Sequence, residues 1–176
     1  VGDARLSIVL YHIPQISGIP ISHDLIDRLT SAFPTVVRGI KDSSGDIANK
    51  TAMVDRFPGF SVLAGADPLL LPLLRAGGSG CITATSNLRA DALRVIWDHW
   101  NTPDKAGAVD QAQTEINAWR ELTNTYVQLP TVKAMLARRR NNMDWCNLRP
   151  PFVELGDAER DAVWARMSEL QEQVTS

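Results

Sequence analysis

The sequence predicts an α/β fold of parallel strand–helix units followed by a helical region, and three observations lead there. Short runs rich in β-branched and aromatic residues recur through the first half, each separated from the next by one helical stretch at intervals of about 20 to 30 residues, the rhythm of parallel βα units. After Asn87 that rhythm stops and only helical patterns follow. At 176 residues and 44% hydrophobic content, with five tryptophans, the chain can bury a real core.

The elements follow in order. "RLSIVLYHI" is a strand-like run closed by Pro14, and "GIPISHDLIDRLTSAF" places Leu25, Ile26, Leu29 and Phe33 on one helical face behind a Ser22 cap. The pattern repeats as strand "TVVRGIK", loop "DSSGD", a helix over 47–57 and strand "FSVLAG". A third round runs from "ADPLLLPLLRAGG", with Pro68 suited to a first helical position, into the strand "GCITAT". Pro72 argues against that helix, because an interior proline removes a hydrogen bond. Helices are then expected over 90–100, 104–126, 130–140 and 157–174, with "NNMDWCNLRPPFVELG" as an irregular link. These boundaries divide the chain into 1–89 and 90–176. Four parallel strands with a helical tail form either an open sheet or half of a closed barrel. The chain opens without methionine and is inside a strand by its eighth residue, which reads as a start in mid-domain.

Composition excludes several functions. A net charge of −2 gives no basic face for nucleic acid. Arg138, Arg139 and Arg140 read as the basic last turn of a helix. Cys81 and Cys146 fit no metal spacing and no disulfide framework, so a reducing, cytoplasmic setting is expected. No apolar run approaches the ~20 residues that span a bilayer. Three scattered histidines, His12, His23 and His99, supply no metal cluster; His23 and His99 read as helix-surface residues.

Lys41 stands apart because it ends a mostly apolar strand and is followed at once by "DSSGD". Residues two apart in a strand share a face, so Val37, Gly39 and Lys41 look one way, with Gly39 expected to leave room beside the lysine. A lysine there either reaches out to water or offers a free amine to a carbonyl at the C-terminal mouth of parallel strands. Tyr11 occupies the same end of the preceding strand, so the two can meet if the strands are neighbours. A positioned phenol can shuttle the protons of imine formation; alone it reads equally as a core aromatic.

The stretches "LYHIPQISG", "GIKDSSGD", "VLAGAD" and "AGGSGCITATSN" resemble, in order and spacing, the second half of the dihydrodipicolinate synthase and N-acetylneuraminate lyase family. That resemblance implies a (β/α)8 barrel, of which this chain holds the last four strands, followed by a C-terminal helical region, and a homo-oligomer, generally a tetramer. It implies Lys41 as the lysine forming an imine with pyruvate or another 2-oxo acid, Tyr11 as the proton relay, and no cofactor or metal. The carbonyl of Ile82 would lie against the bound acid, and Gly65 would keep bulk out of the pocket. An aldehyde is the expected second partner; nucleic acid and membrane are not.

Two departures qualify the match. The family's early glycine and threonine motif, which receives the pyruvate carboxylate, would precede Val1. Ile16 stands where synthases typically place an arginine for the second substrate's carboxylate, which disfavours aspartate semialdehyde, and "PQISG" is closer to the lyase loop. His12, where synthases often have asparagine, reads as a polar pocket residue or as a core histidine bonded to backbone. Three rivals remain: a phosphate-binding barrel enzyme using "AGGSG" as an anion loop, a relative that binds a 2-oxo acid without turnover, and a fragment that is inactive and poorly soluble through exposed sheet edges.

Overall fold

A computed structural model describes residue 3 and residues 5–175, with the side chains of 173–175 excepted. The described residues form two compact units, one reaching to Thr83 and the other starting at Ala84.

The first unit is built on a four-stranded parallel sheet in the order β1 (Ile8–His12), β2 (Val37–Asp42), β3 (Ser61–Ala64) and β4 (Gly80–Cys81). Short α1 (Pro14–Ser17) follows β1, and α2 (His23–Ala32), α3 (Ile47–Arg56) and α4 (Leu70–Arg75) form the crossovers. Ser22 caps α2 as expected, its hydroxyl accepting from the Leu25 N–H at 3.2 Å. Asp46 caps α3 by accepting from the N–H groups of Ala48 and Asn49. Pro72 is tolerated because it lies in the first turn of α4, where its missing N–H has no intrahelical partner to lose. A single 3₁₀ turn, Asp67–Leu69, carries Pro68 just ahead of it.

One sheet face is packed under these helices. Ile40, Val62 and Ala64 are fully buried there with Ile26, Met53, Phe57 and Leu73. Alternation sends Tyr11, Lys41 and Leu63, one residue along, to the opposite face. There Val9, Tyr11 and Ile82 keep 44%, 50% and 47% of their surface exposed.

Several expectations need correction. The helical face of α2 is narrower than its pattern implied, since only Ile26 is buried whereas Leu25 and Phe33 are exposed. The link after β1 holds a short helix, α1, that no pattern in the sequence marked. The strand expected over "GCITAT" shrinks to Gly80–Cys81, extended by one further bond from the Ile82 N–H to the Ala64 carbonyl. Gly39 does not open space beside Lys41; a Cβ there would lie 2.4 Å from the Ser61 carbonyl oxygen, so this glycine permits close strand approach. The "AGGSG" glycines serve packing: Gly77 takes φ +91°, and a Cβ on Gly78 would strike Leu73.

The second unit is helical: α5 (Ser86–His99), α6 (Ala106–Thr123), α7 (Gln128–Arg140) and α8 (Asp157–Thr175). α5 is broken at Arg89, where φ −135° and ψ 54° are not helical. Leu88, Trp119, Leu122, Val132, Met135, Val163 and Met167 form its core. The Trp164 indole N–H donates to the Ala134 carbonyl at 2.8 Å and ties α8 to α7. Arg138, Arg139 and Arg140 do form a basic last turn, ended by Asn141 in the left-handed region.

Candidate active site

The parallel register decides what can meet. β1 and β2 are neighbours and Tyr11 pairs directly with Lys41. The Lys41 ammonium lies over the Tyr11 ring, 4.0 Å from its centroid, a cation–π contact at a half-open sheet face. Burial on its own would raise the Tyr11 phenol, but hydrogen bonds from Ser43 and Lys41 and the lysine charge bring it below its ordinary value. A lysine and a phenol held this way can pass a proton between them.

Ser43 was not picked out from the sequence beyond its place in the loop. Its N–H donates to the His12 carbonyl at 2.8 Å, continuing the β1–β2 ladder, while its carbonyl accepts from the Gln15 amide at 2.8 Å. Gly65 belongs to the same feature. A Cβ on it would lie 2.0 Å from the Ser43 hydroxyl oxygen, so the glycine makes room for the serine side chain. That is a closer and more specific demand than keeping a pocket clear.

The other expected residues separate. Ile82 lies on the open face with Lys41, and its N–H is engaged by β3. His12 does not join them. It pairs with Asp42, is buried, and its Nδ1 accepts from the Ile21 N–H at 3.1 Å, the backbone-bonded histidine of the two readings. Ile16 sits on α1, 77% exposed. His23 is more than a surface residue, because its Nε2 meets the Asn49 side-chain oxygen at 3.0 Å and its ring packs edge-on against Phe57.

No three His, Cys, Asp or Glu side chains gather as a metal site among the described residues. No helix among them is long and apolar enough to cross a membrane. Cys81, inside the sheet, has its thiol pushed up to about 12 by burial and by the Asp67 charge, which makes it a poor nucleophile.

The site is thus a parallel α/β sheet with an amine and a phenol in register at the carboxyl ends of adjacent strands, an architecture that does not by itself name a family. Comparison with known sequences narrows it, for residues 2–170 match the dihydrodipicolinate synthetase family, and the chain belongs to that family. It is 34% identical over 163 residues to an uncharacterized DapA-like lyase of Chloroflexus aurantiacus, covering 93% of this chain and 52% of that protein. It is 27% identical to the 4-hydroxy-tetrahydrodipicolinate synthase of Bacillus subtilis, covering 96% and 57%. Among solved structures, the 4-hydroxy-tetrahydrodipicolinate synthase of Methylacidiphilum fumariolicum SolV superposes with a TM-score of 0.82 at 27% identity, over 97% of this chain and 56% of its own. YagE of E. coli K12, solved in complex with pyruvate, gives 0.83 at 20% identity over 94% and 56%, a likeness of fold. These neighbours are TIM barrels, and the chain spans about half the length of the relatives it matches.

Proposed function

We propose that this chain supplies the imine-forming part of the active site of a lyase acting on pyruvate or a related 2-oxo acid, within a barrel whose last four strands are β1 to β4. One observation carries the reading: the Lys41 amine over the Tyr11 ring, with both residues in register at the strand ends. In this mechanism the neutral amine attacks the ketone carbon to give a carbinolamine. Tyr11 delivers a proton to the departing hydroxyl, and water leaves as the imine forms. The protonated imine then acidifies the neighbouring carbon, whose proton passes to the Tyr11 phenolate left by the dehydration, and the resulting enamine condenses with an aldehyde; cleavage is the reverse. The Ile82 carbonyl faces the bound acid, Gly65 and Ser43 shape the edge of the site, and His12 acts only from behind the sheet.

Ile16 supports an aldehyde other than aspartate semialdehyde, because an exposed aliphatic side chain offers no charge-assisted bond to a second carboxylate. The same family reading makes the protein a cytoplasmic homo-oligomer that needs no nucleotide, flavin or metal.

The test is borohydride reduction in the presence of pyruvate, on the full-length protein, followed by peptide mass spectrometry. A pyruvyl adduct on Lys41, absent from Lys41→Ala, is expected. Tyr11→Phe should trap about 10²- to 10⁴-fold more slowly while still binding the acid. An adduct on another lysine, or trapping that survives Lys41→Ala, rejects the assignment.

A further inference from the structure

Behind Lys41, on the helix-covered side of the sheet, lies a charged group that the mechanism above does not use. Asp42 and Lys50 are both wholly buried and pair at 3.2 Å. A buried ion pair is a poor choice for stability alone, since an apolar pair of the same volume generally does as well or better. What the carboxylate has that an apolar side chain lacks is direction.

Each of its bonds acts on the turn that follows Lys41. One oxygen accepts from the Ser44 N–H at 2.7 Å, which folds the chain back immediately after Ser43. The other accepts from the Asn49 side-chain amide at 2.8 Å. Lys50 divides its ammonium between Asp42 and the Asp46 carbonyl, the latter at 3.1 Å, and so joins the strand end to the residue that caps α3. Asn49 passes the restraint outward. With its amide given to Asp42, its oxygen faces His23, which therefore donates through Nε2 from α2. Gly45 at φ +84° completes the turn.

We infer that Asp42, Asn49 and Lys50 form a positioning unit for the site, fixing the turn that carries Ser43 out of β2 beside the Tyr11–Lys41 pair. The inference rests on the reading of Lys41 and Tyr11 as the reacting pair, and it makes Asp42 a positioning residue, not a catalytic one. Two restraints converge on Ser43. Asp42 bends the chain just beyond it, and Gly65 leaves the gap its side chain fills. Loss of the bend would free Ser43 from its place against Gly65 without changing the side chain of Lys41 or Tyr11.

The experiment follows the ultraviolet titration of Tyr11 in the full-length protein, isolated by subtracting the Tyr11→Phe variant. Ser43→Ala sets the size of the upward shift produced when the serine bond is lost. Asp42→Asn combined with Lys50→Met removes both buried charges, and Asn49→Ala is a milder break that leaves the ion pair in place. The expected result is an upward shift of Tyr11 in the double variant equal to that of Ser43→Ala, a smaller one in Asn49→Ala, and borohydride trapping about 10- to 100-fold slower at an unchanged half-saturating pyruvate concentration. A folded double variant, or Asn49→Ala should the double variant not fold, that keeps the wild-type tyrosine titration overturns the inference. Failure of the wild type to trap pyruvate would instead reject the reading of Lys41, while the tyrosine titration would still judge the positioning unit.

Discussion

Lys41 and Asp42 are adjacent in the chain and live in different environments. Lys41 looks onto a face where Val9, Tyr11 and Ile82 are about half exposed, whereas Asp42 lies wholly buried under α3. The alternation of a strand puts one peptide unit between an accessible face and a sealed core. The helix-covered face completes its own packing, with Ile26, Ile40, Met53 and Val62 leaving almost nothing to water. The open face keeps its polar groups accessible. β2 therefore turns alternate residues to the helix layer and to the open face.

Substitutions at that pair should break the comparison most sharply. Asp42→Ala strands the Lys50 ammonium in the core and should cost about 3–5 kcal/mol. Lys41→Ala, one residue earlier, should change stability by less than about 0.5 kcal/mol. Urea unfolding of both variants would check this, and equal losses would mean that the two faces are not energetically distinct. A gentler version takes an apolar residue. Ile40→Ala should lose about 2–5 kcal/mol through the cavity it leaves in the helix-covered layer, read from the same urea unfolding.

The smallest effect concerns acid. Burial alone would raise the Asp42 carboxyl, but hydrogen bonds from Ser44 and Asn49 and the Lys50 charge hold it below the ordinary aspartate value. A carboxyl lowered in the folded state contributes stability that is fully present above its unfolded pKa of about 3.9 and is lost as pH falls through the folded value. Unfolding free energy should therefore decline as the solution is acidified below about pH 4. The decline should be shallower in the Asp42→Asn, Lys50→Met variant; identical acid profiles would show that Asp42 contributes nothing to it.

The strands and their order were legible because "IVLYH", "VVRGIK" and "FSVLAG" are β-branched runs bounded by turn residues. The meeting of Tyr11 and Lys41 was legible only on the condition that their strands are neighbours, and the parallel β1–β2 pairing meets that condition. The buried pair was not. Nothing in a hydrophobic pattern marks Lys50 as interior, because a lysine on a capped helix normally reads as solvated, and its partner lies on a different element. Gly39 was expected to leave room beside Lys41 and Gly65 to keep bulk out of the pocket; what each avoids, Ser61 and Ser43, belongs to a neighbouring segment and leaves no mark in the local pattern. Leu25 and Phe33 were placed on one helical face with Ile26, yet Leu25 is exposed and Phe33 lies past the last helical residue, as the cap of α2. α1 escaped notice because a four-residue helix opening on proline has too few positions to show a period.

The register of Tyr11 against Lys41 acts as a ruler on the link that carries α2. In this segment the chain can accept exchanged side chains far more readily than a changed count. Deleting one residue between Ala32 and Val37 would slide β2 by a single position, bringing the carboxylate of residue 42 to the phenol and driving the amine of Lys41 into the helix layer. Both faces of β2 would then carry the wrong side chains. Among descendants of this sequence, the length of that link should be more strictly inherited than the identity of any residue within it.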